Sequence, residues 1–198
     1  MKHLLTAGAL ALASMTATAG AQESADVSEM TLGQPDAPVT VVEYASFTCP
    51  HCATFHQGPL QELKAEYVES GQVRFVYREV YFDRYGLWAS MIARCGGADR
   101  FFGIADMLYD KQSEWTDGEP AAVADNLRRI GKLAGLSAES VDACLNDRDT
   151  AQALVAWYQQ NAEADGVTST PTLLINGEKH SNMPYDELAA LIEAELGE

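Results

Sequence analysis

Basic residues are scarce in this chain: 13 Lys and Arg stand against 29 Asp and Glu in 198 residues, for a formal net charge of -16. A surface of that sign repels phosphate backbones, which excludes nucleic acid as a general partner, and it reads most simply as a solvated acidic face. Metal-ligating types are few as well, with four His and four Cys. Only Cys49 and Cys52 lie three apart, and no second CxxC or HxxxH accompanies them. A tetrahedral zinc site would need two further ligands. Covalent haem attachment of the CxxCH type needs His directly after the second Cys, and position 53 is Ala. After residue 21 no apolar run approaches the roughly 20 residues of a membrane-spanning helix. Internal repeats and low-complexity stretches are also missing, and neither cofactor nor metal is expected.

What the chain does have is ordinary globular composition, 47% hydrophobic and 9% aromatic, in a length that suits one domain or a small domain carrying an insertion. The N-terminus is different. Lys2 and His3 precede an apolar, small-residue run from Leu4 to Ala19, and Ala19-Gly20-Ala21 offers a small-x-small cleavage site. This predicts a signal peptide over 1–21 and an exported mature protein, with no Cys after the cleavage site to take a lipid. Its removal takes Lys2 and no acid, leaving 12 basic against 29 acidic side chains and a formal charge of -17. Residues 22–31, polar and without apolar period, read as a mobile leader.

Turn chemistry at Leu32 to Pro38 then opens onto an apolar, β-branched strand, Val39 to Ala45. It runs into Cys49-Pro50-His51-Cys52, followed by a helix on Phe55, Leu60, Leu63 and Tyr67 with a kink at Gly58-Pro59. A second strand spans Val73 to Val80, so the opening unit is strand, helix, strand, with a parallel sheet implied. From Asp83 to Ala164 the apolar period is helical. The β pattern returns at Thr172 to Ile175, turns at Asn176-Gly177, and continues over Glu178 to Ser181. A last amphipathic helix, entered through Pro184, carries Leu188, Leu191, Ile192 and Leu196. The fold class is α/β.

A CxxC pair alone can be a redox dithiol, half a zinc site, part of a haem attachment or a structural bridge. The local pattern favours the first. Cys49 falls where strand gives way to helix, as N-cap, with Pro50 in the first helical position. Unpaired first-turn N–H groups and the positive end of the helix dipole then stabilise a Cys49 thiolate. Cys52 shares the helix face, is more buried and slower to ionise, and resolves what Cys49 begins. His51, between them, can hydrogen-bond the thiolate or place positive charge beside it. His56, one turn beyond Cys52, reads as ordinary surface or packing.

The run Val41-Val42-Glu43-Tyr44-Ala45-Ser46-Phe47-Thr48-Cys49-Pro50-His51-Cys52 resembles the active-site strand and helix start of the DsbA family within the thioredoxin superfamily, including Pro-His between the cysteines where thioredoxin typically carries Gly-Pro. The resemblance extends over nearly all of the mature chain and implies a thioredoxin fold, 32–82 with 165–198, interrupted by an all-helical insertion at 83–164. Thr170-Pro171 matches the family's cis-proline loop, which lies against the CxxC and receives a substrate strand; Thr170 differs from the Val of the best-known members and looks like the Thr of related isomerases. Glu43, six residues before Cys49, matches the family's buried acid, able if buried to exchange protons with Cys52. Cys95 and Cys144 lie on apolar stripes of two expected helices. Buried free thiols or a second redox centre are open alternatives there, but an oxidising compartment favours a structural disulfide.

The expected activity is therefore a periplasmic protein thiol–disulfide oxidoreductase, probed at Cys49, Pro50, His51, Cys52, Glu43, Thr170 and Pro171. By family analogy it oxidises reduced, unfolded exported proteins and is reoxidised by a DsbB-like membrane quinone reductase. A monomer is expected, because the dimerisation domain of related isomerases has no room before the fold. An isomerase or reductase of the same fold is the alternative within chemistry, and a chaperone or metal carrier using CxxC is the alternative outside it.

Overall fold

The computed structural model describes residues 27–197. The expected signal peptide over 1–21 and the first part of the leader lie outside the described residues. A five-stranded sheet of order β1-β3-β2-β4-β5 forms the centre of the fold. Its strands are β1 (Met30–Leu32), β2 (Val39–Ala45), β3 (Val73–Glu79), β4 (Thr172–Ile175) and β5 (Glu178–Ser181). β2 and β3 run parallel, with Val39 opposite Val73 and Ala45 opposite Glu79, and every other pairing is antiparallel.

β2 is nearly continuous in apolar residues because both sheet faces are covered. The two-residue period sends Val39, Val41, Glu43 and Ala45 to one face and Thr40, Val42 and Tyr44 to the other. The first face meets the main core with Phe55, Leu63, Leu188 and Ile192; the second meets a smaller cluster of Tyr44, Val80, Ala162 and Leu174. Glu43 is therefore carried into the main core by register alone. At the far end, Asn176 and Gly177 both adopt positive φ, 46° and 88°, as the tight β4–β5 hairpin requires.

The crossover from β2 to β3 is helical in three pieces: α1 (Pro50–Gln57), α2 (Pro59–Leu63) and a π-helical turn at Lys64–Val68. The break lies at Gly58-Pro59, where Pro59 has no N–H to continue the ladder. Between β3 and β4 come α3 (Arg84–Cys95), α4 (Ala98–Asp110), α5 (Gln112–Trp115), α6 (Pro120–Leu133), α7 (Ala138–Asn146) and α8 (Arg148–Ala164); α9 (Tyr185–Leu196) closes the chain with Pro184 as its N-cap. Cys95 at the end of α3 is bonded to Cys144 on α7, with Cα atoms 6.0 Å apart.

The leader is shorter than its composition suggests. Met30–Leu32 pairs antiparallel with Phe75–Tyr77 as β1, and Met30 is buried. Side chains from β3 and α3 hold the approach to it: Arg78 reaches the Glu29 carboxylate at 2.5 Å, and Arg94 donates to the Ser28 carbonyl at 2.9 Å. A three-residue strand has no readable period, so only its distant partners define it.

Candidate active site

The loop from Ser46 to Cys49 leaves the sheet at the C-terminal end of β2, where parallel strands place their crossover helices and their chemistry. It is held on three sides. Within the loop, the Cys49 N–H donates to the Ser46 carbonyl at 3.0 Å. Toward α3, the Thr48 hydroxyl donates to Asp83 at 2.7 Å, while the other Asp83 oxygen caps α3 through the N–H groups of Tyr85 and Gly86. Gly86 is itself pressed against the loop, since a Cβ there would lie 3.2 Å from Ser46 Oγ. From the helical segment, Gln112 donates both to the Phe47 carbonyl at 2.8 Å and to the Cys49 carbonyl at 2.9 Å. Sequence reasoning did not single out Gln112, because its partners lie more than sixty residues away. Replacing it, Gln112→Ala, takes this donor from two backbone carbonyls. The variant is expected to lose about 1–3 kcal/mol of stability, measurable by denaturant unfolding.

Cys49 is the N-cap of α1 with extended backbone, φ -85° and ψ 119°, and Pro50 is the first helical residue. Its sulfur is half-buried, whereas Cys52 is fully buried, and the two thiols are unbonded. The Cys49 pKa is lowered from an ordinary value near 9 to about 5. The largest cause is a hydrogen bond from the Cys52 thiol; burial opposes it, and the Thr170 side chain and the main-chain N–H groups of Cys52 and His51 assist. Cys52 moves the other way, far above the usual thiol range, chiefly through burial, with its hydrogen bond to Cys49 and the charge of Glu43 adding to the rise. One sulfur is thus built to be a thiolate and its neighbour to keep a proton. His51 contributes its backbone N–H to the thiolate, and its ring is exposed.

The loop between α8 and β4 brings Thr170-Pro171 to the cysteines. The peptide bond between them is cis, and the Thr170 carbonyl oxygen lies 3.5 Å from Cys49 Sγ, where it accepts from the thiol form. The Thr172 hydroxyl donates to the Ser169 carbonyl at 2.8 Å and tightens the turn.

Behind the cysteines, Glu43 is fully buried, and its Oε2 lies 2.8 Å from His56 Nε2. His56 is 2% exposed, so the reading of it as ordinary surface or packing is corrected: it is the partner of the buried acid. The signal was available. A carboxylate on the core face of a strand needs a polar partner, and His56 lies four residues beyond Cys52, on the inward face of α1. The Tyr109 ring lies against the imidazole at 4.1 Å between centroids, and its hydroxyl is 2.7 Å from that of Tyr77. Burial raises both phenols well above their ordinary range.

Comparison with known proteins agrees with this geometry. The family model described as Thioredoxin matches residues 25–194. Among curated relatives, a putative protein-disulfide oxidoreductase of Rickettsia bellii is 32% identical over 174 residues, covering 87% of this chain and 66% of its own. A putative protein-disulfide oxidoreductase of Rickettsia conorii is also 32% identical, over 87% of this chain and 62% of its own. The chain thus spans slightly under two thirds of the length of these relatives. Disulfide bond formation protein D of Bacillus subtilis is 27% identical over 83% of this chain and 76% of its own. The crystal structure of Wolbachia pipientis α-DsbA1 superposes with a TM-score of 0.78 at 26% identity, over 85% of this chain and 91% of that one. A sheet of this order, interrupted by helices α3 to α8 and presenting Cys49 at the start of α1, makes the chain a member of the thioredoxin family, with the helical insertion of its DsbA-like proteins.

Proposed function

We propose that the protein is a periplasmic thiol–disulfide oxidoreductase that introduces disulfides into reduced, unfolded exported proteins through Cys49 and Cys52. The observation that carries this reading is the unequal pair: a half-buried Cys49 with its pKa lowered to about 5, above a fully buried Cys52 that holds its proton. A stabilised Cys49 thiolate favours the reduced form and makes the disulfide a correspondingly strong oxidant.

In the oxidised protein a substrate thiolate attacks Cys49 Sγ. The Cys49–Cys52 bond breaks, Cys52 leaves as a thiolate and takes a proton, and a mixed disulfide joins Cys49 to the substrate. A second substrate thiolate then attacks the substrate sulfur and expels Cys49, a good leaving group because its thiolate is stable. Two electrons pass from the substrate dithiol to the cysteine pair. Thr170 and Pro171 border Cys49 and present the backbone against which the substrate strand lies. His51 donates its backbone N–H to the thiolate, with its exposed ring free to place positive charge nearby, and Glu43 exchanges the Cys52 proton. Reoxidation falls to a DsbB-like membrane quinone reductase, by analogy with the family, and the protein acts as a monomer. Similarity to the Rickettsia protein-disulfide oxidoreductases and to the Bacillus disulfide bond formation protein supports the class of reaction.

Cys49→Ser is expected to abolish oxidation of a reduced, unfolded substrate and formation of any mixed disulfide, as followed by gel shift after thiol trapping. Retained exchange in that variant overturns the reading. The direction in the cell follows from trapping the thiols in vivo: an oxidised Cys49–Cys52 pair is expected of a disulfide donor, a reduced pair of an isomerase or reductase.

A further inference from the structure

Cys52 must gain a proton when substrate attacks Cys49 and lose it when the pair is reoxidised, yet Cys52 and the acid beside it are both cut off from solvent. A route for that proton lies on the far side of Glu43. His56 holds Glu43 Oε2 through Nε2, which leaves Nδ1 as its other ring nitrogen; Nδ1 is buried and has no hydrogen-bond partner among the described residues, and the same is true of Glu43 Oε1. His56 also lines an open cavity of about 220 Å³, together with Gln57, Gln61, Asp106, Tyr109 and Asp110. The cavity walls are fixed: Gln61 donates to the His56 carbonyl at 2.8 Å, Gln57 to the Tyr109 carbonyl at 3.2 Å, and Lys64 pairs with Asp106 at 3.5 Å.

We propose that His56 is the proton relay of the redox centre, taking up a proton from the cavity side when Glu43 gives its own to Cys52 and releasing it when Cys52 returns that proton. The inference rests on the redox reading above. In the oxidised protein Glu43 carries a proton on Oε1 and His56 is neutral. When Cys52 leaves as a thiolate, the Glu43 Oε1–H bond breaks and a Cys52 S–H bond forms. His56 Nδ1 then takes a proton that enters from the side of the cavity His56 lines, leaving an ionised Glu43 beside an imidazolium. On reoxidation the same protons return: Cys52 gives its proton to Glu43, and Nδ1 releases one toward the cavity side. The Glu43–His56 pair is neutral in both states, so one proton enters and leaves the core without an unpaired buried charge. The groups facing the imidazole are Glu43 from β2, Tyr77 from β3 and Tyr109 from α4, with Asp106, Asp110 and Lys64 at the rim. The two phenols stay protonated at neutral pH. His56 acts through Glu43, so it is a positioning and relay residue and does not meet the reacting sulfur.

The test follows the step that only Cys52 performs. Cys49 is loaded as a mixed disulfide with glutathione, and release of glutathione by Cys52 is followed in wild type and in His56→Gln, whose amide can still donate to Glu43 but cannot carry a proton. Release is expected to slow roughly a hundredfold in His56→Gln and to lose its pH dependence near neutrality. Alkylation of Cys49 is expected to keep its wild-type pH profile. Added imidazole, small enough for the cavity, is expected to restore release in His56→Ala. Wild-type release in His56→Gln, or an equal loss in Cys49 alkylation, overturns the relay. Should the variants not fold, the wild type decides in heavy water: release must slow there, and an unchanged rate overturns the proposal. If no mixed disulfide forms at Cys49 at all, the redox reading itself has failed.

Discussion

Iodoacetamide added to the reduced protein at pH 6 is expected to modify Cys49 and leave Cys52 untouched. At that pH an ordinary thiol is almost wholly protonated, whereas Cys49, with its pKa at about 5, is mostly thiolate. The gain in thiolate exceeds two decades, but a more acidic thiol is also a weaker nucleophile. The net acceleration over an ordinary cysteine at pH 6 is roughly tenfold. The decisive result is the shape of the profile: the rate should rise through about pH 5 and be flat from neutrality upward. A rate still climbing between pH 8 and 9 would mean that the Cys52 thiol and the first-turn N–H groups of α1 do not hold the sulfur as a thiolate.

The same displacement links pH to stability. Because the folded value lies below the ordinary value of 9.0, Cys49 stabilises the reduced protein fully above pH 9; the contribution declines as pH falls and vanishes below about 5. Cys52 has the opposite sign. Its folded value is raised, so its contribution is complete below pH 9 and is lost above it, where the unfolded chain releases a proton that the buried thiol keeps. Melting reduced and oxidised protein side by side should therefore show the gap moving in favour of the reduced form from pH 5 to 8. A gap independent of pH contradicts the assignment.

Removing the second cysteine pair should cost stability without touching the chemistry. Cys95 and Cys144 are bonded across a sequence separation of 49. Closing a loop of that length restricts the unfolded chain by roughly 4 kcal/mol in the chain-entropy model. Cys95→Ala with Cys144→Ala is expected to lower the unfolding free energy by about that amount, read from denaturant midpoints in non-reducing buffer. The bridge lies at the C-terminal end of α3, while the N-terminal end of that helix abuts Ser46 and Thr48. Twelve helical residues, about 18 Å, separate the two ends. Exchange at Cys49 should consequently persist at wild-type rate in the folded double variant. A parallel loss of exchange would point to a second redox centre.

Much of this was legible from local pattern. The bounds of β2 and β4 coincide with their apolar runs, the polar β5 follows from the Asn176-Gly177 turn, and the helix break lies at Gly58-Pro59 as its chemistry demands. The helix-starting position of Cys49 was equally readable, because it follows the strand end by a short loop and directly precedes Pro50. What escaped was non-local. Gln112 is an unremarked polar residue until the fold brings it to the carbonyls of Phe47 and Cys49. His56 carries no motif of its own, and only the burial of Glu43 on β2 makes it necessary. β1 is three residues long and exists because β3 offers it an edge.

That last pairing bears on how the molecule avoids sticking to itself. Without Met30–Leu32, β3 would be the outermost strand, with its apolar residues Phe75 and Val76 and an unpaired row of N–H and C=O groups offered to any neighbouring chain. β1 covers that row with minimal length, and Glu29 and Ser28 anchor it through Arg78 and Arg94. The short strand is a guard rail: it adds little to the core, but it ends the sheet before another molecule can extend it.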